Sequence, residues 1–225
     1  MTRSFASIQI IAGCLILLCT IGMVPELCYG STAPSAIGIV KEIRSGTLER
    51  QERDLWKPLT AGMAISANDR VRTGANGLSV LALNDIGAVL IGPNTEYYLG
   101  DPARGFKTLL KHGYIWISAK LSKGRTLSVA TTNAVAGIRG TKFSVIQDAQ
   151  GMDVCTCKGE VQVTLKDGKS MNLAGGMYGM IDAKGKSEKL EKGKPRLEKI
   201  WKEKPVRYAV CLNCHKKGQK VVDLN

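Results

Sequence analysis

Cys211, Leu212, Asn213, Cys214 and His215 stand in the order C-x-x-C-H near the C-terminus of this 225-residue chain. Two thiolates at that spacing can each add to a vinyl group of a haem while the imidazole that follows takes the iron. The pentapeptide therefore predicts one covalently attached haem c, with Cys211 and Cys214 as tethers and His215 as axial ligand. The same residues admit two other chemistries. Cys211, Cys214 and His215 with the Cys155/Cys157 pair offer more than enough donors for a tetrahedral zinc shell, and a C-x-x-C loop can close on itself as a disulfide.

Cys155 and Cys157 fall two apart in a segment that reads as a strand, so their side chains share a face with Cα atoms about 6.6 Å apart by strand rise. That is the outer limit for a disulfide. Thiols packed as small apolar side chains, or a metal site with Cys211 and Cys214, are the other readings. A second axial ligand would come from His112, Met152, Met171, Met177 or Met180, and a methionine there would raise the reduction potential. Only ten residues follow His215. They are too few for the helices of an independent cytochrome, so any haem pocket must be completed by the rest of the chain, by a partner or by a second copy.

Haem attachment through this motif takes place outside the cytoplasmic membrane in bacteria, and the N-terminus agrees. Arg3 precedes an apolar run from Ala6 to Val24, then Pro25 and the small-residue stretch Cys28-Tyr29-Gly30-Ser31. This is the layout of a secretory signal over residues 1–30, cleaved near Gly30. The run is also close to the length that spans a bilayer, so an uncleaved membrane anchor is the alternative. In either case the bulk of the chain is expected outside, in the periplasm, because the positive charge lies on the N-terminal side.

Removing that leader leaves about 195 residues, enough for one well-buried domain and a tail. Of seven cysteines, Cys14, Cys19 and Cys28 fall in the leader, so the remaining four do not form a disulfide framework. Net charge is +13, and between Lys184 and Lys220 thirteen basic residues face four acids. A basic chain suggests nucleic acid, but the tail lacks interleaved aromatics and the chain is expected outside the cell. An acidic envelope or redox partner, or an anionic membrane surface, fits better. A solvated lysine-rich linker fits equally well. Within residues 183–225, Pro195 can open a short helix with Leu197, Ile200 and Trp201 on one face before Pro205 stops it. Ten residues are too few to be helical alone, so that helix is expected to dock on the body of the protein.

From residue 36 to 182 short apolar runs are broken by Gly, Asn, Asp and Pro every eight to twelve residues, which predicts an all-β domain. Val161, Val163 and Leu165 alternate with polar residues, so one face is buried and the other wet. A three-residue loop ending in a left-handed Gly168 would pair Val163 with Met171, Val161 with Leu173 and Thr164 with Ser170, whereas a two-residue turn would put polar side chains on the apolar face. Leu78–Leu83 and Tyr114–Ile117 are apolar on both faces and should lie between layers.

Several ordered blocks resemble the FecR domain family. They are Trp56-Lys57-Pro58-Leu59 through Gly62, Asn68 through Gly74, Leu81 through Asp85, and Gly92-Pro93-Asn94-Thr95. The run Ala134-Val135-Ala136-Gly137-Ile138-Arg139-Gly140-Thr141-Lys142-Phe143 is similar to that family's hallmark, and Lys158-Gly159-Glu160-Val161 follows in order. The resemblance spans Ile37 to Ile181. It implies a compact, coiled β domain, solenoid-like or a sandwich, in the periplasm. In FecR itself the domain relays receptor occupancy to a cytoplasmic sigma factor. This chain has only a handful of residues before its apolar segment, so direct sigma regulation is not expected of it.

In the hallmark, Gly137 and Gly140 are expected to allow tight or positive-φ backbone between two strands. Arg139 would satisfy carbonyls or pair with a carboxylate such as Asp69 or Asp85, and Thr141 would be structural too. No Ser, His and Asp constellation accompanies them. The expected protein is a non-enzymatic exported binding or signal-relay module carrying one haem for electron transfer or sensing. The rival is a cofactor-free module whose tail cysteines form a disulfide or hold zinc, and a haem peroxidase has only His112 and scattered arginines to build on.

Overall fold

The chain divides into two compact units, Met1–Thr32 and Ala33–Asn225. A computed structural model describes residues 35–190 of the second. The leader, the Pro195–Pro205 segment and the C-x-x-C-H motif lie outside the described residues.

The described part is all β apart from one 3-10 turn at Pro102–Arg104. Its strands are β1 (Ala36–Ser45), β2 (Leu48–Glu52), β3 (Leu55–Pro58), β4 (Ala64–Ser66), β5 (Arg70–Thr73), β6 (Leu78–Leu83), β7 (Gly87–Ile91) and β8 (Glu96–Tyr98). They continue as β9 (Phe106–Ala119), β10 (Leu127–Ala130), β11 (Ala134–Asp148), β12 (Gly151–Leu165), β13 (Ser170–Ala174), β14 (Tyr178–Asp182) and β15 (Ser187–Leu190). β-Branched and aromatic residues fill the runs, and Gly, Asn, Asp and Pro occupy the breaks between them. Strand β15 carries the sheet past residue 182, where the sequence reading ended the domain.

All fifteen strands belong to one hydrogen-bonded sheet with the path β15-β14-β12-β11-β10-β9-β7-β6-β1-β4. Strand β9 also pairs β8, which leads through β5 to β2 and β3. Pairing is antiparallel except between β9 and β10. The sheet closes on itself, because β11 pairs both β10 and β9. The all-β expectation holds. The architecture is a closed, barrel-like sheet rather than stacked solenoid coils.

The main interior receives alternate residues of most of these strands: Val40, Val71, Leu81, Val89, Tyr97, Phe106, Ile115, Val129, Phe143, Val154, Val161 and Ile181 are among its members. Burial at about 25 cal/mol per Å² of apolar surface is the main favourable term, so the period-two pattern fixes which face of each strand turns inward. The β12–β13 hairpin has the expected register. Val161 faces Leu173, Val163 faces Met171 and Thr164 faces Ser170. Gly168 is left-handed at φ 84°, and the Thr164 and Ser170 hydroxyls lie 3.1 Å apart.

Candidate functional site

The segment Ala134–Phe143 lies within the single strand β11, which corrects the expectation of two strands flanking its glycines. Gly137 takes ordinary extended backbone between Ser128 and Gln162. Gly140 alone of the two has positive φ, at 61°. It sits at an irregularity in the β11–β12 ladder, where the register shifts between Arg139 and Lys142. On one side of that bend β11 pairs with β10 through Val135–Ile138, and on the other it pairs with β9 through Lys142–Gln147. The bend is therefore where one strand changes partner, and that exchange closes the sheet.

Gly159 of β12 faces the bend with φ 84°. A Cβ there would lie 2.6 Å from Thr141 Cγ2 and 2.9 Å from the Gly140 carbonyl oxygen. Two of the sequence blocks that carry the family resemblance thus meet in space, and the missing side chain of Gly159 permits the contact. Thr141 is buried in it. Gly140 and Thr141 thus form part of the bend, whereas at Gly137 a Cβ would meet only Gln162 O at 3.7 Å, an ordinary contact. The Arg139 side chain is not among those described. Of its suggested partners, Asp69 accepts from Ser66 N at 2.8 Å and from Arg50 at 3.5 Å, and Asp85 accepts from Ser122 Oγ at 3.0 Å.

Cys155 and Cys157 project from one face of β12, as their spacing requires, but that face turns away from the main interior. It carries a second apolar cluster of Leu78, Val80, Ala88, Leu90, Tyr114, Trp116, Ile146, Cys155 and Tyr178, with Cys157 and Met180 partly buried against it. Asp153, buried on the same strand face, accepts a hydrogen bond from the Tyr178 hydroxyl. Among the described residues no group of three or more His, Cys, Asp or Glu could hold a metal ion. A zinc site using Cys155 and Cys157 would need its other donors from elsewhere in the chain.

The residues suggested as a second iron ligand separate by environment. Met152 is sealed in the main interior, its sulfur accepting from Thr131 Oγ1 at 3.3 Å. Met171 and Met177 pack partly buried against the same interior, whereas Met180 lies on the outer face beside Tyr178 and Cys157. His112 is exposed on β9 opposite Glu96. Tethers and axial ligand, Cys211, Cys214 and His215, lie outside the described residues.

Sequence reasoning missed a polar lattice on the outer side of β2, β3, β5 and β8. Arg70 Nε donates to Glu96 at 2.6 Å and its Nη1 to Gln51 at 2.8 Å, while Arg72 Nε donates to Glu49 at 2.6 Å. Trp56 lies under both guanidinium groups, 5.7 Å from Arg70 Cζ and 4.3 Å from Arg72 Cζ. Arg72 lies in register with Glu49 and Glu96, and Arg70 reaches Glu96 on the diagonal; in the sequence only the alternation Arg70-Val71-Arg72 marked this face as wet. Beside the lattice a cleft of about 440 Å³ is lined by Arg53, Asn68, Tyr98, Leu109 and Lys111. Burial pushes the Glu96 carboxyl up, but its hydrogen bond and ion pair with Arg70, helped by Lys111, hold it below the usual carboxylate range. Arg70 and Glu96 thus pair as guanidinium and carboxylate at the edge of the cleft.

The family model described as FecR protein matches residues 69–162. That stretch runs from Asp69, just before β5, into β12 and contains both halves of the bend. No curated protein matches the chain. Two crystal structures of a proposed anti-sigma factor from Parabacteroides distasonis, at 1.65 and 2.50 Å resolution, are similar in fold. Their TM-scores are 0.51 and 0.50 at 17% identity, over 57% of this chain and 62% of the solved chain. The chain thus matches less than two thirds of the length of these relatives, and the likeness is one of fold. Residues 69–162 are thus similar to the FecR family model, and the chain shares its β fold with the two solved structures.

Proposed function

We infer that this is an exported, non-enzymatic FecR-type binding or signal-relay protein that carries one covalent haem c. The reading rests on the C-x-x-C-H run at Cys211–His215. An N-terminal secretory pattern agrees with it, and so does a β domain of a type used for envelope signalling. When bound, the haem supplies one-electron redox chemistry or a seat for a small ligand. Cys211 and Cys214 tether it, His215 holds the iron, and the β domain presents the surface that meets an envelope or redox partner, acidic in character to suit the basic tail. The location is periplasmic, with the N-terminal segment as leader or membrane anchor.

Denaturing mass spectrometry of protein made in a host with haem-attachment machinery tests this. Covalent haem adds roughly 616 Da that survives acid. Zinc is lost in acid as its thiolate ligands protonate, and a disulfide removes only two hydrogens. A colourless protein with thiols at Cys211 and Cys214 defeats the haem reading and leaves a cofactor-free binding module.

A further inference from the structure

The outer face of β6, β7, β9, β11, β12 and β14 is closed to solvent, yet the described residues place no second layer over it. Val80, Leu90, Trp116 and Cys155 are each 0% exposed and Tyr178 is 1% exposed. All nine buried members come from these six strands of one sheet, at positions that alternate with residues of the main interior. Side chains on a sheet face become fully buried only under another layer packed roughly 10 Å above it. Among the described residues the cluster's partly buried neighbours, Cys157 and Met180, belong to β12 and β14 themselves.

We propose that this face is the seat of the chain's own C-terminal segment, residues 195–205, docked as a short amphipathic helix. The path of the chain supports this occupant. Strand β15 ends at Leu190, paired with Tyr178 of the cluster, so the chain leaves the sheet at the margin of the face. The next four residues can reach about 13 Å, enough to turn onto it. A helix from Pro195 to Lys204 is about 15 Å long, the width of about three strand spacings. It would present Leu197, Ile200 and Trp201 on one side, at positions i, i+3 and i+4. So short a helix needs a surface to be stable, and this face needs a cover.

Docking also delivers the haem motif, which begins six residues after Pro205, to the face that carries Cys155, Cys157 and Met180.

Native-state hydrogen exchange on the full chain without haem tests the proposal. Amides of residues 198–204 exchange at least about tenfold more slowly than in an unstructured peptide, and exchange at the unstructured rate overturns it. Replacing Ile200→Asp together with Trp201→Asp raises alkylation of Cys157, followed by peptide mass, about tenfold or more with the β-sheet circular dichroism retained. Unchanged alkylation overturns the docking. Starting the chain at Ala33, its own compact unit, leaves the alkylation rate as it was. Acceleration there makes the leader the cover and overturns the proposal. None of these readouts needs haem, so loss of the haem reading and loss of the docking are separate results.

Discussion

Alanine at Gly159 and at Gly168 isolates the contribution of the hallmark bend. Both glycines have φ 84°, in the region that L-residues avoid, so a side chain at either carries backbone strain of about 1–2 kcal/mol. Their surroundings differ. At Gly168 a Cβ meets nothing within 4 Å, whereas at Gly159 it lies 2.6 Å from Thr141 Cγ2, 2.9 Å from Gly140 O and 3.2 Å from Thr141 Cα. Two of those three are backbone atoms of the strand that exchanges partners, so they cannot rotate aside. Overpacking of this kind adds about 1–3 kcal/mol. Gly168→Ala should therefore cost about 1–2 kcal/mol and Gly159→Ala about 2–5 kcal/mol. Urea unfolding, followed by tryptophan fluorescence with the slope checked for constancy, measures both. Equal losses at the two sites would refute the claim that β11 and β12 are held in contact at the bend.

Two further outcomes follow from the interior and the lattice. Phe143→Ala, just past the bend and buried in the main interior, should cost about 3–5 kcal/mol, while Leu55→Ala, 67% exposed, should stay within about 0.5 kcal/mol in the same titration. Glu96 has a folded-state pKa held below its unfolded value. Below both values its carboxyl is protonated in either state, so its stabilising effect is present above the ordinary carboxylate range and disappears as pH falls through the lowered value. Glu96→Gln should therefore be destabilising at neutral pH and flatten the acid limb of the stability–pH curve. An unaltered acid limb would remove Glu96 from the account.

The β12–β13 register was legible because Val161 and Val163 admit only one pairing that keeps apolar side chains together, and Gly168 supplies the loop for it. Strands β6 and β9 were equally legible as buried on both faces, since Leu78–Leu83 and Tyr114–Ile117 have no polar side. The change of partner within β11 was not. Alternation reports which face a residue takes but not which neighbour lies beside it, and Val135–Ile138 looks no different from Val145–Gln147 in that respect. The Arg70–Glu96 pair was hidden for a related reason: its members are twenty-six positions apart and come together only through the β5–β8 ladder. The spacing of Cys155 and Cys157 gave their shared face correctly, but nothing local indicated that it is the outer one.

Strand β9 pairs with β7, β8, β10 and β11, and its last partner is also the furthest along the chain. A growing polypeptide that has not yet reached Lys142 leaves Gly113–Ser118 with one edge unsealed. Completion must wait for a contact across roughly thirty residues, and such late closure is slow. The consequence is a ring whose final seam is sewn only after more than two thirds of its strands have emerged, so the early hairpins must wait, half-clothed, for a late arrival.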